Sequence, residues 1–223
     1  MKFIIAILSP IVWLVCRVLF RIEFRGVENI PPDGACIIVP NHITYADPIW
    51  ITIPVRRRIY YMAWDKPFRI PVLGFLMRTF GAFPLNIDTI DKSAHRSAID
   101  LLESSHALVV FPEGGRTRTG RLESFKLGAF RLALAHGVPV VPVTIRGASS
   151  IWPVGQMLPR PGKLTITYHA PIRVERLSNE ASRSEMREQA RKLANRARAV
   201  VASALPPENI PEEESEKLAS MEA

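Results

Sequence analysis

Two uninterrupted apolar runs, Ala35 to Val39 and Ala107 to Phe111, with a further strand at Val138 to Ile145, constrain this chain more than any other feature. A strand covered on one face alternates apolar and polar residues, whereas a continuous run is buried on both faces. Helical spacing occupies the intervals: Pro67 to Met77, Lys92 to Ser105, and Leu122 to His136, the last stopped by Gly137. Arg21 to Gly26, Arg58 to Ala63 and Lys163 to His169 read as further strands. Glu180 to Leu205 reads as an amphipathic helix opened by Ser182-x-x-Glu185, a capping-box pattern. Strand and helix in alternation predict an α/β domain with a central, mostly parallel sheet covered by helices. At 223 residues there is room for one such domain, placed at residues 21–205.

The flanks differ from this body. Phe3 to Phe20 is almost wholly apolar, broken by Ser9, Pro10 and Arg17, and no cleavage pattern follows it. Eighteen helical residues reach about 27 Å, marginal for a hydrocarbon core of about 30 Å. With Arg17, Arg21 and Arg25 just after the run, residues 1–20 are expected to form a membrane anchor, spanning or monotopic. The body would then lie on the cytoplasmic face (the inner membrane in a bacterium). A buried core helix is the alternative. Residues 206–223 hold six glutamates and one lysine, a net −5, and are expected to be a disordered acidic tail. The total is +8, so the remainder carries +13 and should seek anionic partners: acidic lipid, nucleic acid or phosphorylated small molecules. The Arg56-Arg57-Arg58 run reads as a solvated face or a headgroup contact. Cys16 and Cys36 are too few for a disulfide framework.

Two polar clusters follow buried runs, where α/β folds collect functional groups. The first is Asn41-His42-Ile43-Thr44-Tyr45-Ala46-Asp47. A His takes a proton from an alcohol near neutral pH, and a carboxylate can fix its tautomer and support its cation. On a regular helix His42 and Asp47 would stand about 140° apart, so contact requires a turn between them, with Thr44 as N-cap and Asp47 in the first turn. Asp47 before Pro48 is also an ordinary helix start, and an isolated His is often merely satisfied in place. The second cluster is Phe111-Pro112-Glu113-Gly114-Gly115-Arg116-Thr117-Arg118-Thr119-Gly120. Arg grips phosphate through two parallel hydrogen bonds and Gly allows close backbone approach, although such a loop can also be only a loop.

Together these residues resemble the glycerolipid acyltransferases that acylate lysophosphatidic acid, the PlsC-like enzymes. Asn41 to Asp47 matches the family's NHx(S/T)xxD block, and Phe111 to Thr117 its FPEG(T/G)R(S/T) block. Gly81 to Leu85 and Val138 to Val143 stand where the second and fourth blocks are expected, in family order. The resemblance implies a glycerophosphate acyltransferase-like fold, with His42 as general base on the acceptor hydroxyl and Asp47 orienting it. It implies a substrate-binding set of Asn41, Thr44, Glu113, Gly114, Gly115 and Arg116. The acyl donor would be acyl-CoA or acyl-carrier protein, attacked directly, and no metal or cofactor is implied. Membrane lipids would be partners.

One departure stands out. Asn86-Ile87-Asp88 occupies the place where the family usually carries a basic residue for phosphate, and Lys126 or Arg118 could substitute. The acceptor could then be lysophosphatidic acid, another lysophospholipid, glycerol phosphate or an amino-acid-derived lipid. Other classes fit less well. A zinc hydrolase lacks a second spaced His pair, and a nucleic-acid binder lacks a recognised motif. A catalytically silent lipid-binding protein would be indifferent to His42. The sequence sets no oligomeric state.

Overall fold

The structure, a computed structural model, describes residue 14 and residues 17–86, 92–153, 155–156, 158–178 and 180–211. Seven strands are seen: β1 (Glu23–Arg25), β2 (Cys36–Pro40), β3 (Ile59–Trp64), β4 (Ala82–Leu85), β5 (Ala107–Val109), β6 (Val140–Arg146) and β7 (Thr165–Tyr168). They form one sheet in the order β1-β7-β6-β2-β5-β3-β4. From β6 to β4 every neighbouring pair is parallel; β7 runs antiparallel to β6, and β1 is parallel to β7. The mixed, mostly parallel α/β architecture expected from the sequence is the one observed.

Six α-helices have both ends among the described residues: α1 (Asp47–Thr52), α2 (Pro71–Thr79), α3 (Lys92–Glu103), α4 (Gly128–His136), α5 (Ala148–Ile151) and α6 (Arg183–Ala202). β2 explains why the fold needs layers on both sides, because all five of its residues are buried. Cys36 and Ile38 join Trp50, Ile51, Val143 and Ile145 on one face, while Ile37 and Val39 join Phe130, Ala133, Ala194 and Ala197 on the other. That is the two-residue period of a strand, written here in apolar residues on both sides. Truncating Ile37 or Ile38 to Ala should cost about 2–5 kcal/mol through the cavity left behind. Ala190, Ala194 and Ala197 line the buried side of α6, where small residues let a long helix close onto the sheet. Its start is capped as the sequence pattern suggests: Ser182 Oγ accepts from the Glu185 N–H at 3.1 Å.

Four boundaries depart from the sequence reading. The helix expected from Leu122 begins only at Gly128, because 122–126 is irregular chain tied to neighbouring loops. There the Lys126 N–H donates to Pro112 O at 2.7 Å and the Leu122 N–H to Asn209 O at 2.8 Å. The tail is ordered further than its composition suggests. Pro207–Asn209 forms a 3-10 turn, Ile210 is buried in the core, and Asn209 Nδ2 donates to Gly120 O at 2.9 Å. Residues 206–211 thus belong to the folded body, and 212–223 lie outside the described residues. Arg57 is no solvated cation: its guanidinium donates to the carbonyls of Pro31, Gly34 and Ser105, tying three loops together.

The fourth departure is the membrane placement on the cytoplasmic face, which is corrected. Among the described residues no helix is long and apolar enough to cross a membrane. Residues 1–13, 15 and 16 of the apolar run lie outside the described residues. Its described end is part of the folded body. Phe20 is buried with its ring against Trp50 at 5.7 Å, and the carbonyls of Leu19 and Phe20 accept from the N–H groups of Gly162 and Leu164.

Candidate active site

β2 lies at the middle of the sheet, between β5 and β6, so the loops leaving these three strands meet at one carboxyl edge. The turn after β2 carries His42 and Asp47. Asp47 begins α1, with Pro48 directly after it, and the chain bends over residues 44–46 just before. That bend is the turn a contact between residues five apart requires. His42 Nδ1 stands 2.9 Å from Asp47 Oδ2. The same oxygen accepts from the N–H groups of Ile43 at 2.6 Å and Thr44 at 2.8 Å, and Oδ1 accepts from Thr44 Oγ1 at 2.6 Å. Asp47 is wholly buried, and four donors provide what water would otherwise supply to its carboxylate. The helix's N-cap position falls on Ala46 and not on Thr44, whose hydroxyl is taken by Asp47 and also accepts from the Ala46 N–H.

The imidazole is held on its other side too. The ring of His42 stacks on that of Phe111, centroids 4.0 Å apart, and its side chain keeps 17% exposure. With Nδ1 turned to a carboxylate, Nε2 is the nitrogen left to accept a proton.

The loop after β5 grips the backbone of this histidine at both polar atoms. The His42 N–H donates to Glu113 Oε1 at 2.7 Å, and the Thr117 N–H donates to His42 O at 2.9 Å. The second oxygen of Glu113 accepts from the Glu123 N–H at 3.1 Å. Burial pushes the Glu113 carboxyl up to about 7, against the opposing pull of the two N–H groups. Glu113 therefore joins two loops through backbone contacts. Those two contacts make it a brace between the loops.

Asn41 is also turned inward. Its amide pairs with both backbone groups of Ile145, donating to the carbonyl at 3.0 Å and accepting from the N–H at 2.7 Å. That bridge pins the end of β2 to β6 and gives Asn41 a structural role.

Arg116, by contrast, is presented outward. Its guanidinium lies 3.4 Å above the centroid of the exposed Tyr45 ring, a close cation–π stack. Gly114 adopts a left-handed φ of 77°, and a Cβ there would run into the Lys126 side chain, which crosses directly above it. Gly115 faces open space. Thr44, Tyr45 and Arg116 line a pocket of about 220 Å³ together with Trp152, Pro153, Gly155 and Gln156. The latter four come from the loop after α5 and were not singled out from the sequence as ligand contacts. The signal available was a Trp-Pro-x-Gly turn soon after a buried strand. Asn86, at the departure from the family pattern, is described, while Ile87 and Asp88 lie outside the described residues.

Residues 21–146 match the family model described as Acyltransferase. The chain belongs to the acyltransferase family. It is 34% identical to a chloroplast 1-acyl-sn-glycerol-3-phosphate acyltransferase of Brassica napus over 69% of this chain and 45% of that one. It is 31% identical to a 1-acyl-sn-glycerol-3-phosphate acyltransferase of Chlamydomonas reinhardtii, over 85% of this chain and 54% of that one. The chain thus spans about half the length of the curated relatives it matches. Among solved structures, the 1-acyl-sn-glycerophosphate acyltransferase PlsC of Thermotoga maritima superposes with a TM-score of 0.63 at 28% identity. That match covers 81% of this chain and 72% of the other. The first and third family blocks identified in the sequence follow β2 and β5, while the second falls on β4 and the fourth on the start of β6.

Proposed function

We propose that this chain transfers a fatty acyl group from a thioester, acyl-CoA or acyl-carrier protein, to the free hydroxyl of lysophosphatidic acid, giving phosphatidic acid. The observation that carries this reading is the His42–Asp47 contact set beside a pocket bordered by Arg116. A base next to a single cationic grip suits an acceptor that carries both a hydroxyl and a phosphate. The relatives whose names specify 1-acyl-sn-glycerol-3-phosphate support that choice of acceptor.

The chemistry follows from the atoms. His42 Nε2 takes the hydroxyl proton as the acceptor oxygen attacks the thioester carbonyl carbon, forming the new C–O bond. Asp47 supports the imidazolium that results, in the manner of a Ser-His-Asp site with the substrate hydroxyl in place of serine. Collapse of the tetrahedral intermediate breaks the C–S bond, and the imidazolium returns its proton to the departing sulfur. Arg116 binds the phosphate through charge-assisted hydrogen bonds. An acceptor panel tests the reading: lysophosphatidate, glycerol 3-phosphate and monoacylglycerol with palmitoyl-CoA in detergent micelles. Lysophosphatidate should give the highest kcat/KM; equal or better turnover of monoacylglycerol would contradict the phosphate requirement.

A further inference from the structure

The part of the Arg116 pocket formed by Trp152 and Gln156 is a fixed piece of structure. After β6 the chain passes through α5 and enters a turn that the Trp152 side chain closes: its indole N–H donates to Gln156 O at 2.9 Å. The Gln156 N–H donates to Pro153 O at 3.2 Å, and Trp152 packs on the core face that contains Trp50 and Ile151. The chain then doubles back, so that the Arg160 N–H donates to Ile151 O at 2.8 Å. With the Gln156 amide oxygen turned toward Arg160, the guanidinium donates to it through Nε at 3.1 Å and also through Nη2. A guanidinium has five N–H donors, so an arginine oriented in this way by an amide still has donors for a ligand. Gln156 lines the same pocket as Arg116.

We propose that Gln156 and Arg160 are specificity-determining residues that hold the acceptor's phosphate together with Arg116. This rests on the reading that the acceptor is a phosphate-bearing lysolipid. Two guanidinium groups from separate loops match a phosphate monoester, which carries close to two charges at neutral pH. They also make up for the basic residue missing after the Gly81–Leu85 block. The pocket, at about 220 Å³, is smaller than the about 300–1,000 Å³ that encloses a whole drug-sized ligand, so it suits a headgroup. The phosphates of a CoA donor offer similar chemistry. Two features favour the acceptor: the small volume, and a lining that includes Thr44, which bonds the carboxylate partner of the base.

The test uses the full chain in mixed micelles, with binding of lysophosphatidate and of monoacylglycerol bearing the same acyl chain measured directly, beside KM for palmitoyl-CoA. Arg160 is exposed, so its replacement should leave the unfolding temperature unchanged. Arg160→Ala should weaken lysophosphatidate binding about tenfold, the loss of one charged hydrogen-bonding partner. Monoacylglycerol binding and KM for palmitoyl-CoA should not move. Gln156→Ala should weaken lysophosphatidate binding about threefold, and Arg160→Lys should fall between Arg160→Ala and wild type. Unchanged lysophosphatidate binding in Arg160→Ala would overturn the proposal, and so would a rise in palmitoyl-CoA KM alone. Wild type that binds lysophosphatidate with this Arg160 dependence but does not acylate it would support the binding wall while removing the proposed reaction.

Discussion

In the turn after β2, Asp47 is wholly buried and receives four hydrogen bonds from three residues; in the loop after β5, Arg116 rests on the face of an exposed tyrosine beside glycines open to solvent. The difference separates two tasks. A base must be held in one tautomer and one orientation before any substrate arrives, and only a closed, internally satisfied turn does that. A phosphate grip must shed water and accept a charged group from outside, so its cation stays accessible and is oriented only by a ring. Glu113 couples the two, reaching from the open loop to the backbone of His42.

This contrast can be broken from either side. Asp47→Asn should have the largest effect, lowering kcat about 10²–10⁴-fold with little change in KM for the acceptor. It should also destabilise the fold by about 1–3 kcal/mol, because an amide N–H₂ would face donors that now meet a carboxylate. Steady-state kinetics with thermal unfolding would register both, and an intact kcat would show that the buried carboxylate is only a helix start. Arg116→Ala should do the reverse, raising KM for lysophosphatidate about 10–100-fold at nearly constant kcat and unfolding temperature. A collapse of kcat instead would place Arg116 on the reacting atoms.

Glu113 sharpens the comparison through pH. Its folded-state value of about 7 lies above the ordinary 4.5, so folding favours the neutral form. The stability this provides is complete below about pH 4.5 and is lost as pH rises through about 7, with an expected size of about 1–3 kcal/mol. The unfolding temperature of wild type relative to Glu113→Gln should therefore decline between about pH 5 and 8. A flat difference would mean that Glu113 is ionised throughout. The smallest effects separate two adjacent glycines. Gly114→Ala should cost about 1–2 kcal/mol for its left-handed backbone, before any clash with Lys126. Gly115→Ala should stay within about 0.5 kcal/mol in stability.

How much of this could be read beforehand depends on the range of the interaction. The sheet and its layers were legible because burial on both faces writes itself into Ala35–Val39 and Ala107–Phe111. The His42–Asp47 pair was legible because both partners lie in one short turn. For Asn41 and Glu113 a motif records which residues belong together and not which partners they meet. Those partners, Ile145 and the backbone of His42, are set by strand order. The rest of the pocket's lining was missed for the same reason: Gln156 reaches the site only because β6 lies beside β2. The docking of Ile210 was hidden by the glutamates that follow it in a segment whose composition reads as solvated.

The most direct test of the account is acyl transfer from labelled palmitoyl-CoA to lysophosphatidate, followed in a single turnover with wild type and His42→Ala at equal, saturating acceptor. The account predicts that the variant binds lysophosphatidate as wild type does and transfers the acyl group at least about 100-fold more slowly. Transfer at the wild-type rate would contradict the assignment of His42 as the base and with it the chemistry built on the His42–Asp47 turn.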